Sequence, residues 1–268
     1  MIAQSFDKNI LNKLLKEIRL PTVRNCYEAV IKSAEKGSLK YEEFLYELVR
    51  RECEDRKQRK IARYLKQSRL PLEKTMESFD LKRLPMKELQ KVKSLIEGKF
   101  TDKKENVLAF GNPGSGKTHL LCGIGHELIK KGKRVYFSSC SILVQELLVA
   151  KKQLKLDKIL KRLSSYDTLV IDDIGYVQQD RDEMEVLFTL LAERYERGSV
   201  MITSNLPFSK WEKIFKDPMT TAAAIDRLVH HSVILELNLS SFRLEEAKKN
   251  SINITKDIKS TGSRKRTK

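Results

Sequence analysis

Apolar positions in the first 75 residues recur close to helical spacing. Between Ile10 and Leu20 they lie mostly three or four residues apart, and Pro21 ends the pattern. Three further segments, separated by Gly37 and closed by Pro71, have a helical pattern: Thr22–Glu35, Leu39–Arg56 and Arg59–Gln67. No strand-like alternation occurs here. We therefore predict a small all-helical N-terminal domain over residues 1–75.

The pattern changes after a connector at residues 76–104, in which we predict a helix from Met86 to Gly98. Short apolar strands then alternate with segments of helix length. The predicted strands are Asn106–Phe110, Arg134–Phe137, Thr168–Ile171, Val200–Thr203 and Ser232–Leu237. This alternation predicts an α/β domain over residues 105–249, with helices on both faces of a parallel sheet and ligands at the carboxyl ends of its strands. Residues 250–268 are basic and lack periodicity, which predicts a disordered tail.

Positive charge is concentrated in the two flanks of the chain. The net charge is +17, yet residues 107–246 carry 19 Lys and Arg against 18 Asp and Glu. Residues 1–106 carry 26 against 17, and residues 247–268 carry 8 against 1. Any single charged run is explained as a solvated helix face. Taken together, the basic flanks favour contact with a polyanion such as nucleic acid.

Apolar runs along the chain stay far below the roughly 18–20 residues of a membrane-spanning helix. The N-terminus also lacks the basic-then-apolar layout of a secretory signal, so we expect a cytoplasmic protein without a membrane partner. The four cysteines stand far apart, without Cys-x-x-Cys spacing, and this indicates reduced thiols rather than a zinc site or disulfides.

A glycine-rich loop directly follows the first predicted strand. It matches the phosphate-binding pattern G-x-x-x-x-G-K-[ST] and consists of Gly111, Asn112, Pro113, Gly114, Ser115, Gly116, Lys117 and Thr118. The glycines let backbone N–H groups surround the β- and γ-phosphates of ATP, at the positive end of the following helix. We expect Lys117 to pair with these phosphates and the Thr118 hydroxyl to bind Mg²⁺.

Two carboxylates end the predicted strand at Thr168–Ile171. Asp172 is placed to hold Mg²⁺ through its water shell, and Asp173 to polarise the water that attacks the γ-phosphate. A pair of aspartates after a strand is also common in turns and helix caps. The upstream phosphate loop favours the interpretation as a Walker B element.

Two further polar residues are candidates for the reaction. Asn205 follows the strand Val200–Thr203 and is placed to orient the attacking water or to sense the γ-phosphate; an ordinary turn before Pro207 is the alternative. Arg227 lies on a predicted helix, from which a guanidinium is able to enter a neighbouring subunit's site. The alternative for Arg227 is a surface pair with Asp226.

Four stretches together resemble the IstB family, the transposition helper ATPases of insertion sequences, which are related to DnaC-type helicase loaders in the AAA+ initiator clade. They lie at residues 111–119, 169–176, 202–208 and 223–231, and the likeness covers roughly residues 8–248. The resemblance implies an AAA+ core. It implies the following roles: Walker A for Lys117 and Thr118, Walker B for Asp172 and Asp173, sensor 1 for Asn205 and an arginine finger for Arg227. His119 joins the nucleotide-binding loop, and Arg243 is the candidate for a second sensor arginine.

Relatives in this clade carry an extra helix that faces DNA, and Ile142–Leu163 resembles it. Its basic residues are Lys151, Lys152, Lys155, Lys158, Lys161 and Arg162. The resemblance thus implies a homo-oligomer that assembles on double-stranded DNA with ATP and assists the transposase of the same element.

Two other functions fit part of the pattern. A DnaC-like helicase loader has the same core, and neighbouring genes would separate it from a transposition helper. A small-molecule kinase also uses a phosphate loop, but it usually carries an arginine-rich lid that this sequence does not display.

Overall fold

The computed structural model describes residues 7–37, 39–176, 181–211 and 218–241. The chain divides into two compact units, Met1–Arg63 and Tyr64–Lys268. In the described parts of the chain, no helix is both long and apolar enough to cross a membrane. The predicted tail at 250–268 and the candidate Arg243 lie outside these residues.

The first unit contains α1 (Lys8–Glu17), α2 (Pro21–Gly37) and most of α3 (Tyr41–Ser68). Asp7 caps α1 by accepting a hydrogen bond from the N–H of Asn9 at 2.7 Å. Pro21 begins α2, a position where its missing N–H has no helical partner to lose. The buried side chains that hold the three helices together are Leu15, Val23, Tyr27, Val30 and Leu48.

Helix α3 is continuous from Tyr41 to Ser68, so the predicted break between Arg56 and Arg59 is wrong. No glycine or proline interrupts this stretch, and ion pairs between residues four apart lie before and across the expected break. Arg56 contacts Glu52 at 2.9 Å, and Arg59 contacts Asp55 at 2.9 Å. The division between the two units falls within this helix.

The second unit is built on a parallel sheet, as predicted. Its strands are β1 (Asn106–Gly111), β2 (Val135–Ser139), β3 (Thr168–Asp172), β4 (Ser199–Ser204) and β5 (Ser232–Leu237). They lie in the order β2-β3-β4-β1-β5, and every neighbouring pair is parallel. The carboxyl ends of β3, β4 and β1 therefore lie side by side, which is where the sequence places the phosphate loop, the two aspartates and Asn205.

Helices flank this sheet and supply most of its buried core. They are α4 (Met86–Glu97), α5 (Lys99–Asp102), α6 (Lys117–Lys130), α7 (Cys140–Lys152), α8 (Leu156–Ser164), α9 (Arg181–Arg194) and α10 (Pro218–Val229). Helix α6 follows β1 and packs against β1, β2, β3 and β4. Gly98, in a left-handed conformation with φ of 81°, ends α4.

The segment Ile142–Leu163 is two helices, α7 and α8, instead of the single extra helix predicted from the resemblance. Leu154 separates them with φ of 55°, and its side chain is 95% exposed. The N–H of Lys155 donates to the carbonyl of Ala150 at 2.8 Å, a bond that closes the end of α7. The basic residues of this segment therefore lie on two helices and the turn between them.

Candidate active site at the carboxyl edge of the sheet

The glycine-rich loop joins the end of β1 to the start of α6. Gly111 is required there because a Cβ atom would lie 2.2 Å from the carbonyl oxygen of Leu237. Gly114 and Gly116 have φ of 80° and 93°, in the left-handed region that favours glycine. Helix α6 begins at Lys117, so its first N–H groups and its positive dipole end belong to this loop. Asn112 and Pro113 form the exposed tip.

Lys117 is buried beside this loop with 8% of its surface exposed. Its Nζ donates to the carbonyls of Gly111 and Asn112 at 2.8 and 2.9 Å. The hydroxyl of Ser115 is buried and has no hydrogen-bond partner among the residues that the structure describes. A buried hydroxyl without a partner inside a loop of this shape fits a bound polar ligand that would satisfy it.

Thr118 and Asp172 come together at this edge although 54 residues separate them. The Thr118 hydroxyl donates to Oδ1 of Asp172 at 2.7 Å. Hydroxyl and carboxylate oxygens are ligands that Mg²⁺ prefers, and it often takes its remaining ligands from phosphates and water. These two residues, beside a phosphate-binding loop, thus fit a magnesium ion bound with a nucleotide.

Asp173 follows directly and has φ of 64°, a conformation uncommon for a residue with a side chain. Its N–H donates to the Thr203 hydroxyl at 2.7 Å. Burial and the neighbouring Asp172 raise the pKa of Asp173, while Lys117 acts in the opposite direction. A carboxyl group with a raised pKa near a phosphate loop has a property expected of a proton acceptor.

Asn205 follows β4 and lies close to the segment after Asp173. A Cβ atom on Gly175 would approach Oδ1 of Asn205 to 2.4 Å. That oxygen is buried, and no described residue hydrogen-bonds to it. Asn205 also lines a cavity of about 420 Å³ together with Gly111 and Asn112. The structure thus brings Asn205 to the loop that carries Lys117.

Arg227 lies at the opposite end of the sheet. Its guanidinium group stacks over the ring of Phe188 at 4.7 Å and lines a cavity of about 170 Å³ with Lys103 and Asn106, at the start of β1. No described residue, Asp226 included, hydrogen-bonds to its buried Nη1 atom. Arg227 is therefore not assembled with Asp172 and Asp173 of its own chain.

His119 is directed toward the segment Thr75–Phe79, which precedes α4. Its Nε2 lies 3.0 Å from both the Ser78 hydroxyl and the Thr75 carbonyl. Phe79 meets the His119 ring edge-on at 5.4 Å and packs against Gly116, where a Cβ would lie 3.0 Å from it. The sequence analysis did not identify Phe79 as part of the site, because nothing in its local sequence pattern distinguishes it.

The basic residues of α7 and α8 are only partly available to an outside partner. Lys151 pairs with Glu185 at 3.0 Å, and Arg162 pairs with Glu146 at 3.1 Å. The others are exposed: Lys152, Lys155, Lys158 and Lys161. An external polyanion would compete with acidic residues of the chain for Lys151 and Arg162.

The fold and the site together define a P-loop domain of the AAA+ type. Two solved structures share the fold, each with a TM-score of 0.54. The crystal structure of the DnaC helicase loader is 19% identical, and the match covers 62% of this chain and 97% of that one. AMPPCP-bound DnaA from Aquifex aeolicus is 20% identical, with 68% of this chain and 56% of that chain covered.

The chain belongs to the family of IstB-like ATP binding proteins, whose model matches residues 13–250. An insertion sequence ATP-binding protein of Sinorhizobium fredii is 39% identical over 247 residues, 92% of this chain and 83% of the relative. The insertion sequence IS21 ATP-binding protein of Pseudomonas aeruginosa is 37% identical over 239 residues, 89% of this chain and 90% of the relative. The resemblance inferred from the four stretches is thereby confirmed.

Proposed function

We propose that the chain binds ATP with Mg²⁺ at the carboxyl edge of its sheet and hydrolyses it. The observation that carries this proposal is the meeting of Thr118, Asp172 and Thr203 beside the loop that contains Lys117. The hydroxyls of Thr118 and Thr203 both donate to Oδ1 of Asp172, at 2.7 and 2.6 Å. Thr118 and Asp172 are the residues that would hold a magnesium ion bound with the nucleotide.

Each residue of the site has a distinct proposed role. Lys117 pairs with the β- and γ-phosphates, and Thr118 and Asp172 would hold the metal, which would supply positive charge against the transferring phosphoryl group. Asp173 accepts the proton of the attacking water, and its raised pKa suits that role. Asn205 orients this water. The remaining loop residues, Gly111 to Gly116, surround the phosphates, with His119 fixing the start of α6.

Arg227 completes the site of a neighbouring subunit in this proposal. Support comes from its position away from Asp173 of its own chain and from its Nη1 atom, which lacks a partner among the described residues. A guanidinium group supplied from outside stabilises charge on the transferring phosphoryl group. Hydrolysis would then require an oligomer.

We further propose that these oligomers form on double-stranded DNA and assist the transposase of the same element. The basic flanks of the chain support DNA contact, and the relatives' names associate them with insertion sequences. We assign the helical N-terminal domain to DNA or partner binding, residues 76–104 to a connector, residues 105–249 to the ATPase and residues 250–268 to a basic tail. The helicase loader remains the alternative function, and the relatives that share 37–39% of their residues favour transposition.

The test is ATP-dependent assembly on duplex DNA, measured by sedimentation with ATP, with ADP and without nucleotide. The wild type should form an ATP-dependent complex, whereas Lys117→Ala should not. Lys131→Ala is the matched control, because Lys131 is an exposed lysine directly after the far end of α6. Equal assembly by all three proteins in all three conditions would contradict the nucleotide-driven mechanism.

The proposed DNA contacts need a separate test. Replacing the exposed residues Lys152, Lys155 and Lys158 by glutamate should weaken DNA binding and reduce the slope of log K against log salt by about one per lost phosphate contact. ATP affinity should not change. An unaltered salt slope would remove α7 and α8 from the DNA interface.

A further inference from the structure

Thr203, which the sequence does not single out, contacts both aspartates of the proposed site. Its hydroxyl donates to Oδ1 of Asp172 at 2.6 Å and accepts a hydrogen bond from the N–H of Asp173 at 2.7 Å. These directions are compatible, because a hydroxyl group has one proton to donate and lone pairs that accept. One side chain thus fixes a carboxylate and the backbone of the next residue.

The contact with Asp172 belongs to a converging pair. The hydroxyls of Thr118 and Thr203 both donate to the same oxygen, Oδ1, from α6 and from β4. Hydrogen bonds from hydroxyls to an ionised carboxylate are short and strong. Thr203 is 1% exposed, so water does not compete for this bond. The orientation of the Asp172 carboxylate therefore depends on both threonines.

The contact with Asp173 replaces a missing bond of the sheet. Strand β3 pairs with β4 through Ile171 and Ile202, and this pairing does not continue to the next residues. The backbone turns away at Asp173, whose φ of 64° lies in the left-handed region that residues with a Cβ seldom adopt. The Thr203 hydroxyl accepts the hydrogen bond of the Asp173 N–H, which no longer pairs with β4.

From this geometry we infer that Thr203 is a positioning residue that sets both the metal-binding carboxylate of Asp172 and the backbone that aims Asp173. The inference rests on the proposed function. Removing the hydroxyl leaves the N–H of Asp173 without its acceptor and removes one of two hydroxyl donors to Asp172. The rate of ATP hydrolysis and the effect of Mg²⁺ on nucleotide affinity should both decrease, whereas the contacts of the loop with the nucleotide should persist.

Thr203→Val removes the hydroxyl and preserves the branched shape, and Thr203→Ser retains the hydroxyl. Thr168→Val is the matched control, because Thr168 is a fully buried threonine of the same sheet, at the opposite end of β3, whose hydroxyl has no partner among the described residues. For each variant, three properties are measured: the melting temperature, kcat and KM for ATP, and the affinity for a fluorescent ATP analogue with Mg²⁺ and with EDTA.

We expect Thr203→Val to lower kcat by about 10- to 100-fold, because a hydrogen bond to a charged group is lost. The change in KM should be smaller. Its affinity in EDTA should equal that of the wild type, and the gain that Mg²⁺ gives should shrink. Thr203→Ser should retain most of the kcat and of the effect of Mg²⁺ on affinity, and Thr168→Val should change neither. Should the valine variant not fold, Thr203→Ala takes its place with the same expected result.

Two results would overturn the inference. One is a folded variant without the hydroxyl that keeps the kcat and the magnesium response of the wild type. The other is an equal loss of affinity with and without Mg²⁺, which would indicate general distortion. If the wild type itself neither binds nor hydrolyses ATP, the proposed function fails instead, so the two failures are distinguishable.

Discussion

The two ends of the central sheet handle buried charge in different ways. At the amino end, Arg194 is 2% exposed, and its terminal nitrogens donate to main-chain carbonyls at 2.7–3.3 Å. The four acceptors are the carbonyls of Leu163, Tyr166, Asp167 and Ser199. Burial lowers the pKa of Arg194 to about 10, which leaves it charged at neutral pH. Its contacts join the end of α8 to the starts of β3 and β4.

At the carboxyl end, two groups of like charge lie in sequence. Asp172 and Asp173 share the hydroxyl of Thr203, and Asp173 has both an unfavourable backbone conformation and a raised pKa. Carbonyl dipoles stabilise the cation at one end, while the anions at the other end repel each other. The difference fits a stabilising role for the amino end and the chemical role that we propose for Asp173 at the carboxyl end.

The largest effect is expected at Asp173, where a loss of activity should occur without a loss of stability. Asp173→Asn should lower the rate of ATP hydrolysis by about 100-fold or more, because the proton acceptor is lost. ATP affinity should stay within a few-fold of the wild type, and the melting temperature should not fall, because a like charge is removed. Hydrolysis assays, calorimetric titration and thermal unfolding measure these three properties. Asp157→Asn, an exposed aspartate on α8, is the control, and a comparable rate loss there would contradict the assignment.

The opposite end should respond with a loss of stability. Arg194→Met should lower the free energy of unfolding by about 3–4 kcal/mol, since buried carbonyls lose a charged donor. Urea unfolding measures this change. Arg197→Met, at an arginine whose side chain is 67% exposed, should change stability by less than about 0.5 kcal/mol. Equal effects at the two arginines would refute the stabilising role of Arg194.

Gly198 offers a smaller perturbation of the same network. A Cβ atom there would lie 2.2 Å from Nη2 of Arg194. Gly198→Ala should therefore cost about 1–3 kcal/mol, because Arg194 must leave its carbonyl partners. In the Arg194→Met background the same change should cost less, and a double-mutant cycle by urea unfolding measures the coupling. Additive effects would show that the collision is relieved elsewhere.

The smallest expected effect is a pH dependence at the carboxyl end. Asp173 has a pKa above its ordinary value of 3.8 in the folded state, so its ionisation destabilises the fold as the pH rises past 3.8. The stability gained by Asp173→Asn should therefore be present at neutral pH and vanish as the pH falls below about 3.8. Urea unfolding of both proteins between pH 7 and pH 3.5 measures the difference. A stability gain that increases as the pH falls would contradict a raised pKa of Asp173.

The sequence predicted the sheet well because apolar periodicity and turn residues determine its strands. Each predicted strand overlaps an observed one, and Ser232–Leu237 agrees at both ends. The breaks within helices were harder to predict. The Asp55–Arg59 ion pair, which spans the expected break in α3, and the left-handed turn at Leu154 depend on side-chain and main-chain contacts that periodicity does not encode.

The candidate site divides in the same way. Lys117, Thr118 and Asp172 lie in motifs whose spacing reflects chemistry, and the structure brings Thr118 to Asp172. Thr203 was missed because a threonine in a buried strand is an ordinary β-forming residue. Its position near the end of β4, two residues before the candidate Asn205, was the available signal. Phe79 reaches the loop from the connector, a tertiary contact that no local pattern predicts.

A crystal structure of the chain grown with Mg²⁺ and a non-hydrolysable ATP analogue tests the central claim most directly. The account predicts the triphosphate between Gly111 and Lys117, with the ion against the Thr118 hydroxyl and Asp172. Density for the analogue at another site, with Lys117 directed away from its phosphates, would contradict it.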